Sequence, residues 1–417
     1  MVDLIIKNAA QVVTCAAPHP KRGADMLDVG IIPDGAVVIQ DGRIIAVDTT
    51  QAILAQYTAD NVIDASGQTV CPGLVDPHTH VVYAGDRIDE FEMRIKGATY
   101  MEIMAAGGGI LSTMQAVRRA SVDDLVAQTR PRLDAMLRHG TTTAEIKSGY
   151  GLDTASELKM LQAIEILDRT HPIDIIPTFL GAHAIPPDYT AEAYTELVIH
   201  EMIPAVMDWF NQSHFDRLYI DVFCEENAFS LEQSHRILSA GQAAGMLVKA
   251  HVDEFNALGG VSMALDLQAA SVDHLDVTSA EEIQRLAQSG TVGIVIPAVN
   301  FNLGSTHFAD ARGIIDAGGA LAFTTDINPG SAPCPSMPFV MALACRYQKL
   351  LPAEALNAST INAAYSIGMG ASVGSIEPGK QADLLILNTP DYRHLAYEFG
   401  GNLVRTVIKC GVVVAKQ

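Results

Sequence analysis

Two histidines one residue apart close the segment Pro72-Gly73-Leu74-Val75-Asp76-Pro77-His78-Thr79-His80. Alternate side chains of an extended strand share a face, so His78 and His80 aim two imidazoles at one point. Two neutral imidazoles are half of a divalent-metal site. A bare His-x-His is also common in surface turns, so the pair alone decides little. Further along, His183, His251 and His274 end or follow other short apolar runs, and Asp326 closes the run that begins near residue 320. Another run leads into Glu145-Ile146-Lys147-Ser148-Gly149-Tyr150. Each residue has a dull explanation; their joint placement at the ends of apolar runs points to a metal-dependent site.

Those runs fall near residues 73–78, 140–147, 174–182, 218–224, 247–251, 271–275, 291–296 and 320–325. Segments with helical spacing separate most of them, among them Val122 to Arg138, Ser156 to Arg169, and Glu281 to Gln288 behind a cap at Ser279. Eight buried strands alternating with helices predict an α/β fold, a closed (β/α)8 TIM-type barrel whose chemistry lies at the C-terminal strand ends. The two chain ends read differently. Val2 to Ile6, Gly35 to Ile39 and Arg43 to Val47 are strands without helical periodicity, and Asp41-Gly42 marks a hairpin. Ala382 to Leu387, Val404 to Lys409 and Val412 to Val414 repeat the style around Cys410-Gly411. The expected organisation is a small β-sandwich from residues 1–68 and 367–417, with a barrel over 69–366 inserted into it.

The 417 residues are 49% hydrophobic, ample for a large core. Lys and Arg total 27 against 48 Asp and Glu, a formal net charge of −21, which disfavours nucleic acid and anionic lipid as partners. Six scattered cysteines lack any Cys-x-x-Cys pair, and no signal peptide or 18-residue apolar stretch is apparent, so a cytoplasmic protein with reduced thiols is expected. His19, His139, His171, His200, His214, His235, His307 and His394 have no ligand spacing and read as structural or exposed. The triple glycine 107–109 lacks the Gly-Lys-Ser/Thr of a phosphate loop. Glu145 and Lys147 read as an internal ion pair.

Pro72 to His80, a later strand-end histidine and the closing aspartate resemble the amidohydrolase superfamily. More narrowly, Gly107 to Thr113, Gly140 to Gly151, Gly181 to Pro187, His251-Val252-Asp253-Glu254 and Thr325 to Ser331 resemble its imidazolonepropionase family, over the whole barrel. The resemblance implies hydrolysis of the ring C–N bond of 4-imidazolone-5-propanoate to N-formimidoyl-L-glutamate, a step of histidine degradation. It implies one divalent metal ion, Zn2+ or Fe2+/Fe3+, on His78, His80, His251 and Asp326. Relatives with two ions bridge them through a lysine on strand four; here that strand, Leu218 to Cys224, has none. On this reading Asp326 takes a proton from water, His274 polarises the carbonyl, and Glu254 carries a proton to the leaving nitrogen. Arg87 would pair with the propanoate, while Tyr150 and His183 close on the ring or tail. Asn328, Gly330 and Ser331 would face the amidine end, with Tyr100 a weaker candidate. The resemblance also implies a homodimer.

Two other readings compete. One is a different superfamily enzyme, a hydrolase of another cyclic amide or a deaminase of an aminated heterocycle; a neutral base would not need Arg87. The other is a barrel that has lost catalysis and serves in assembly, which typically lacks the metal ligands present here.

Overall fold

The computed structural model describes residues 1–98, 102 and 108–417. Eight parallel strands lie in the order of the chain: β6 (Leu74–Asp76), β7 (Thr141–Lys147), β8 (Asp174–Ala182), β9 (Tyr219–Cys224), β10 (Leu247–Val252), β11 (Ser271–His274), β12 (Val292–Val295) and β13 (Ala320–Phe323). Helices between them pack outside, three over spans close to those read from the sequence: Val122–Arg138, Thr154–Thr170 and Ala280–Gln288. Ser121, Asp153 and Ser279 each accept a backbone N–H at the N-cap and fix where these helices begin.

Side chains tie the last strand to the first. The hydroxyls of Thr324 and Thr325, just beyond β13, donate to the buried carboxylate of Asp76, and Thr324 also reaches the carbonyl of His78. His80 N donates to Ile327 O at 3.1 Å. The first and eighth strand ends, which carry three of the expected metal ligands, are thereby held together.

The other sheet joins both chain ends. Its order is β16 (Val412–Lys416), β15 (Val404–Lys409), β14 (Leu384–Leu387), β5 (Thr69–Pro72), β1 (Val2–Val13), β2 (Ile31–Gln40) and β3 (Arg43–Thr49), with β4 (Ala59–Asp64) also on β1. Alternation gives it two buried faces. Leu384 and Ile386 join Leu4, Ile6, Val37 and Ile39 in the sheet's own core, while Leu385 and Leu387 face the barrel's. Both expected hairpins form, with φ of +50° and +73° at Asp41-Gly42 and +46° and +76° at Cys410-Gly411. Three details differ from the expectation. Thr69–Pro72 pairs with β14 and β1 in the terminal sheet. The N-terminal stretch contains two short helical turns, Gly23–Leu27 and Thr50–Leu54. Residues 21–28 cross the base of the barrel, where Arg22 donates to the carbonyls of Ala287 and Ser289.

Candidate metal centre

β6 ends at Asp76, and the next four residues have no regular secondary structure. Thr79 turns away and donates its hydroxyl to Glu145 O at 2.8 Å, so His78 and His80 turn together into the barrel mouth. β10 contributes His251. Asp326 sits three residues past β13 with φ +48°, a backbone that re-aims its carboxylate inward. The Nε2 atom of His80 lies 3.3 Å from that of His78 and 3.3 Å from that of His251. Asp326 Oδ1 lies 3.5 Å from Nε2 of both His78 and His80. Donors about 2.0–2.1 Å from one tetrahedral ion stand about 3.3–3.4 Å apart, so this spacing fits a single small divalent cation. Asp326 Oδ1 is buried and has no hydrogen-bond partner among the described residues, which leaves it free to face an ion. Burial pushes the pKa of His78 and His80 well down, leaving neutral imidazoles that can bind metal.

A second layer fixes the imidazoles. His78 Nδ1 donates to Asp273 Oδ2 at 2.6 Å, which leaves the Nε2 lone pair facing the centre. His251 Nδ1 stands 3.0 Å from Asp221 Oδ2, within ionic reach but out of hydrogen-bond alignment, and Asp221 Oδ1 accepts His251 N at 3.1 Å. Below them Lys147 Nζ touches Glu145 at 2.7 Å and Asp221 at 2.8 Å, the expected ion pair enlarged by one carboxylate.

The mouth holds the other expected residues. His274 ends β11 with φ +87°, its ring 5.3 Å from that of His251 and its Nδ1 3.8 Å from Glu254 Oε2. Burial lowers the His274 pKa and raises that of Glu254, the latter helped by Asp326 and Asp276. His183 stacks on His80 at 4.9 Å, and its Nδ1 donates to Gly149 O at 3.0 Å; burial lowers its pKa to about 3. The Tyr150 ring lies 5.4 Å from that of His183. Arg87 makes a two-pronged contact with Glu90, at 2.8 Å from Nε and 2.7 Å from Nη2, and packs against Gly330, where a Cβ would stand 2.2 Å from Nη1. Asn328 spends its amide on Asp326 and Ser331, and its carbonyl on the backbone of Gly330 and Ser331. It shapes the loop that carries Asp326. Tyr100 lies outside the described residues.

The amidohydrolase family model matches residues 69–414. The chain belongs to the amidohydrolase family. Within that family it is similar over its whole length to curated imidazolonepropionases. That of Chloroflexus aggregans is 54% identical over 419 residues, covering 99% of this chain and 98% of its own. That of Geobacillus kaustophilus is 48% identical, covering 100% and 99%. Among solved structures, a zinc-bound adenosine deaminase from Xanthomonas campestris superposes with a TM-score of 0.74 at 20% identity, over 100% of this chain and 93% of its own. Guanine deaminase from E. coli gives 0.68 at 17%, over 99% of each chain. At such identities these two bear on the fold alone.

Sequence reasoning passed over Asp221 and Asp273, which lie against the outer nitrogens of His251 and His78. The signal was present: a carboxylate inside an apolar strand, as in Tyr219-Ile220-Asp221-Val222, needs a buried partner. Of the histidines set aside, His19, His200, His214, His235 and His307 are exposed, and His171 is buried against Asp134.

Proposed function

We propose that this chain catalyses the imidazolonepropionase reaction, opening the ring amide of 4-imidazolone-5-propanoate to N-formimidoyl-L-glutamate. The observation that carries the reading is three imidazoles and one carboxylate at single-ion spacing, with a guanidinium in the same mouth, in a chain 54% identical to an imidazolonepropionase along its length. His78, His80, His251 and Asp326 would hold the ion, Zn2+ or iron. When bound, such an ion polarises a carbonyl and lowers the pKa of a water. Asp326 would hold the ion with one carboxylate oxygen and accept a proton from the attacking water with the other. Neutral His274 donates to the carbonyl oxygen as charge gathers on it. Protonated Glu254 gives its proton to the ring nitrogen as the C–N bond breaks, so the water oxygen ends on the new carboxylate. Arg87 receives the propanoate, and Tyr150 and His183 wall the ring.

The test is the ultraviolet absorbance of freshly made imidazolonepropanoate mixed with metal-loaded protein. Rapid metal-dependent loss with N-formimidoyl-L-glutamate as product supports the reading. No acceleration over spontaneous decay, with metal confirmed bound, overturns it and directs the search to other cyclic amides and aminated heterocycles. Metal analysis of protein purified without added ions separates zinc from iron.

A further inference from the structure

Glu225 directly follows β9 and is 3% exposed, yet the reaction above gives it no part. Its Oε2 accepts the backbone N–H of Phe255 at 2.9 Å and that of Asn256 at 3.1 Å. Its Oε1 accepts the side-chain amide of Asn256 at 2.8 Å and the backbone N–H of Glu226 at 2.8 Å. Three of these four donors belong to the two residues that come straight after Glu254. We propose that Glu225 is a positioning residue of the reaction: its carboxylate clamps the loop after β10 so that the Glu254 carboxyl stays beside His274. The inference rests on the role proposed for Glu254 above.

Residues 253–259 form neither helix nor strand, so their backbone groups need partners on other elements. Phe255 does not anchor the loop by burying its ring, which leaves it 57% exposed. Two ties hold the segment instead. Before Glu254, Asp253 takes φ +56°, and its carbonyl accepts Val277 N at 3.0 Å while its Oδ2 accepts the Thr278 hydroxyl at 2.9 Å. After Glu254, Glu225 gathers Phe255 and Asn256 onto the end of β9. Between the ties, Glu254 Oε2 stands 3.8 Å from His274 Nδ1. A proton donor serves only within hydrogen-bond reach of its target, and a misplacement of about 1 Å can cost about 10²-fold in rate. Without the Glu225 carboxylate, the N–H groups of Phe255 and Asn256 lose their acceptor, and the loop must move to satisfy them. Glu254 moves with it.

The test is steady-state kinetics of the metal-loaded full chain on imidazolonepropanoate, joined to hydrogen exchange over residues 253–259. Glu225→Ala is expected to lower kcat about 10- to 100-fold with KM within about threefold, the mark of a misplaced donor rather than of lost binding. Exchange at Phe255 and Asn256 should quicken while the barrel strands keep their protection. Glu225→Gln retains one oxygen for both backbone N–H groups and is expected to recover most of kcat. In Glu254→Gln, adding Glu225→Ala should change kcat little further, because the group it positions is gone. Wild-type kcat in folded Glu225→Ala overturns the inference. So does a Glu225→Gln variant as slow as Glu225→Ala, or a fully additive loss in the double variant. If Glu225→Ala does not fold, Glu225→Asp decides, since it withdraws both oxygens by one methylene: a kcat lowered about tenfold at unchanged KM supports the proposal, and wild-type kcat overturns it. Near-normal turnover in Glu254→Gln refutes the role of Glu254 itself, and wild-type protein without activity refutes the proposed reaction; either removes this inference at its root.

Discussion

Asp253, His274, Leu275 and Asp326 all have positive φ without being glycine, and all lie at or just past strand ends around the mouth. Such backbones cost about 1–3 kcal/mol each and turn a side chain that would otherwise follow the strand's alternation. The residue types were legible in the sequence; this re-aiming was not, because nothing in an aspartate's identity states its φ. Glu254 gives the sharpest prediction at this scale. Burial raises its pKa, so the acid persists to higher pH than in a free glutamate and activity should fall as pH rises through that pKa. Glu254→Gln should lower kcat about 10²- to 10⁴-fold with a much smaller change in KM, and abolish that basic limb. Near-normal turnover would remove Glu254 from the mechanism. Arg87→Met should act oppositely, raising KM roughly 10- to 100-fold through loss of a charged carboxylate contact. Were Arg87 only the partner of Glu90, steady-state kinetics would barely move.

The eight strands and their helices could be read from apolar runs and caps because burial on both faces and N-capping leave local marks. The ties between elements leave none: Asp76 meets Thr324 and Thr325 across some 250 positions. For the same reason Thr69–Pro72, an apolar run next to β6, went to the wrong sheet: its partner β14 lies more than 300 residues away. Asp76 makes the seam testable. Burial lifts its carboxyl from 3.8 to about 6 despite the threonine bonds. A raised acid binds its proton more tightly in the folded chain, so its contribution is full below the unfolded value near 4 and is lost as pH rises through about 6. Relative to Asp76→Asn, the wild type should therefore lose stability between pH 4 and 7, by at most about 3 kcal/mol. Urea unfolding of both proteins at the two pH values measures this; a gap that stays constant or widens in the wild type's favour would contradict it.

At the scale of the molecule, the centre ties together chain segments distant in sequence. His78 and His80 follow β6, His251 belongs to β10, and Asp326 follows β13. Their donor atoms face one another at 3.3–3.5 Å, and the buried Asp326 Oδ1 has no hydrogen-bond partner among the described residues. An unfolded chain cannot offer this arrangement, so the ion's binding energy adds to folding energy. At a thousandfold excess of free ion over Kd the gain is about 4 kcal/mol. Prolonged dialysis against a chelator should therefore lower Tm by several degrees, and one equivalent of Zn2+ per chain should restore most of it. In His80→Ala the chelator-induced shift should shrink toward zero, because less binding energy remains to be lost. An undiminished shift in that variant would place the stabilising ion somewhere other than on these residues.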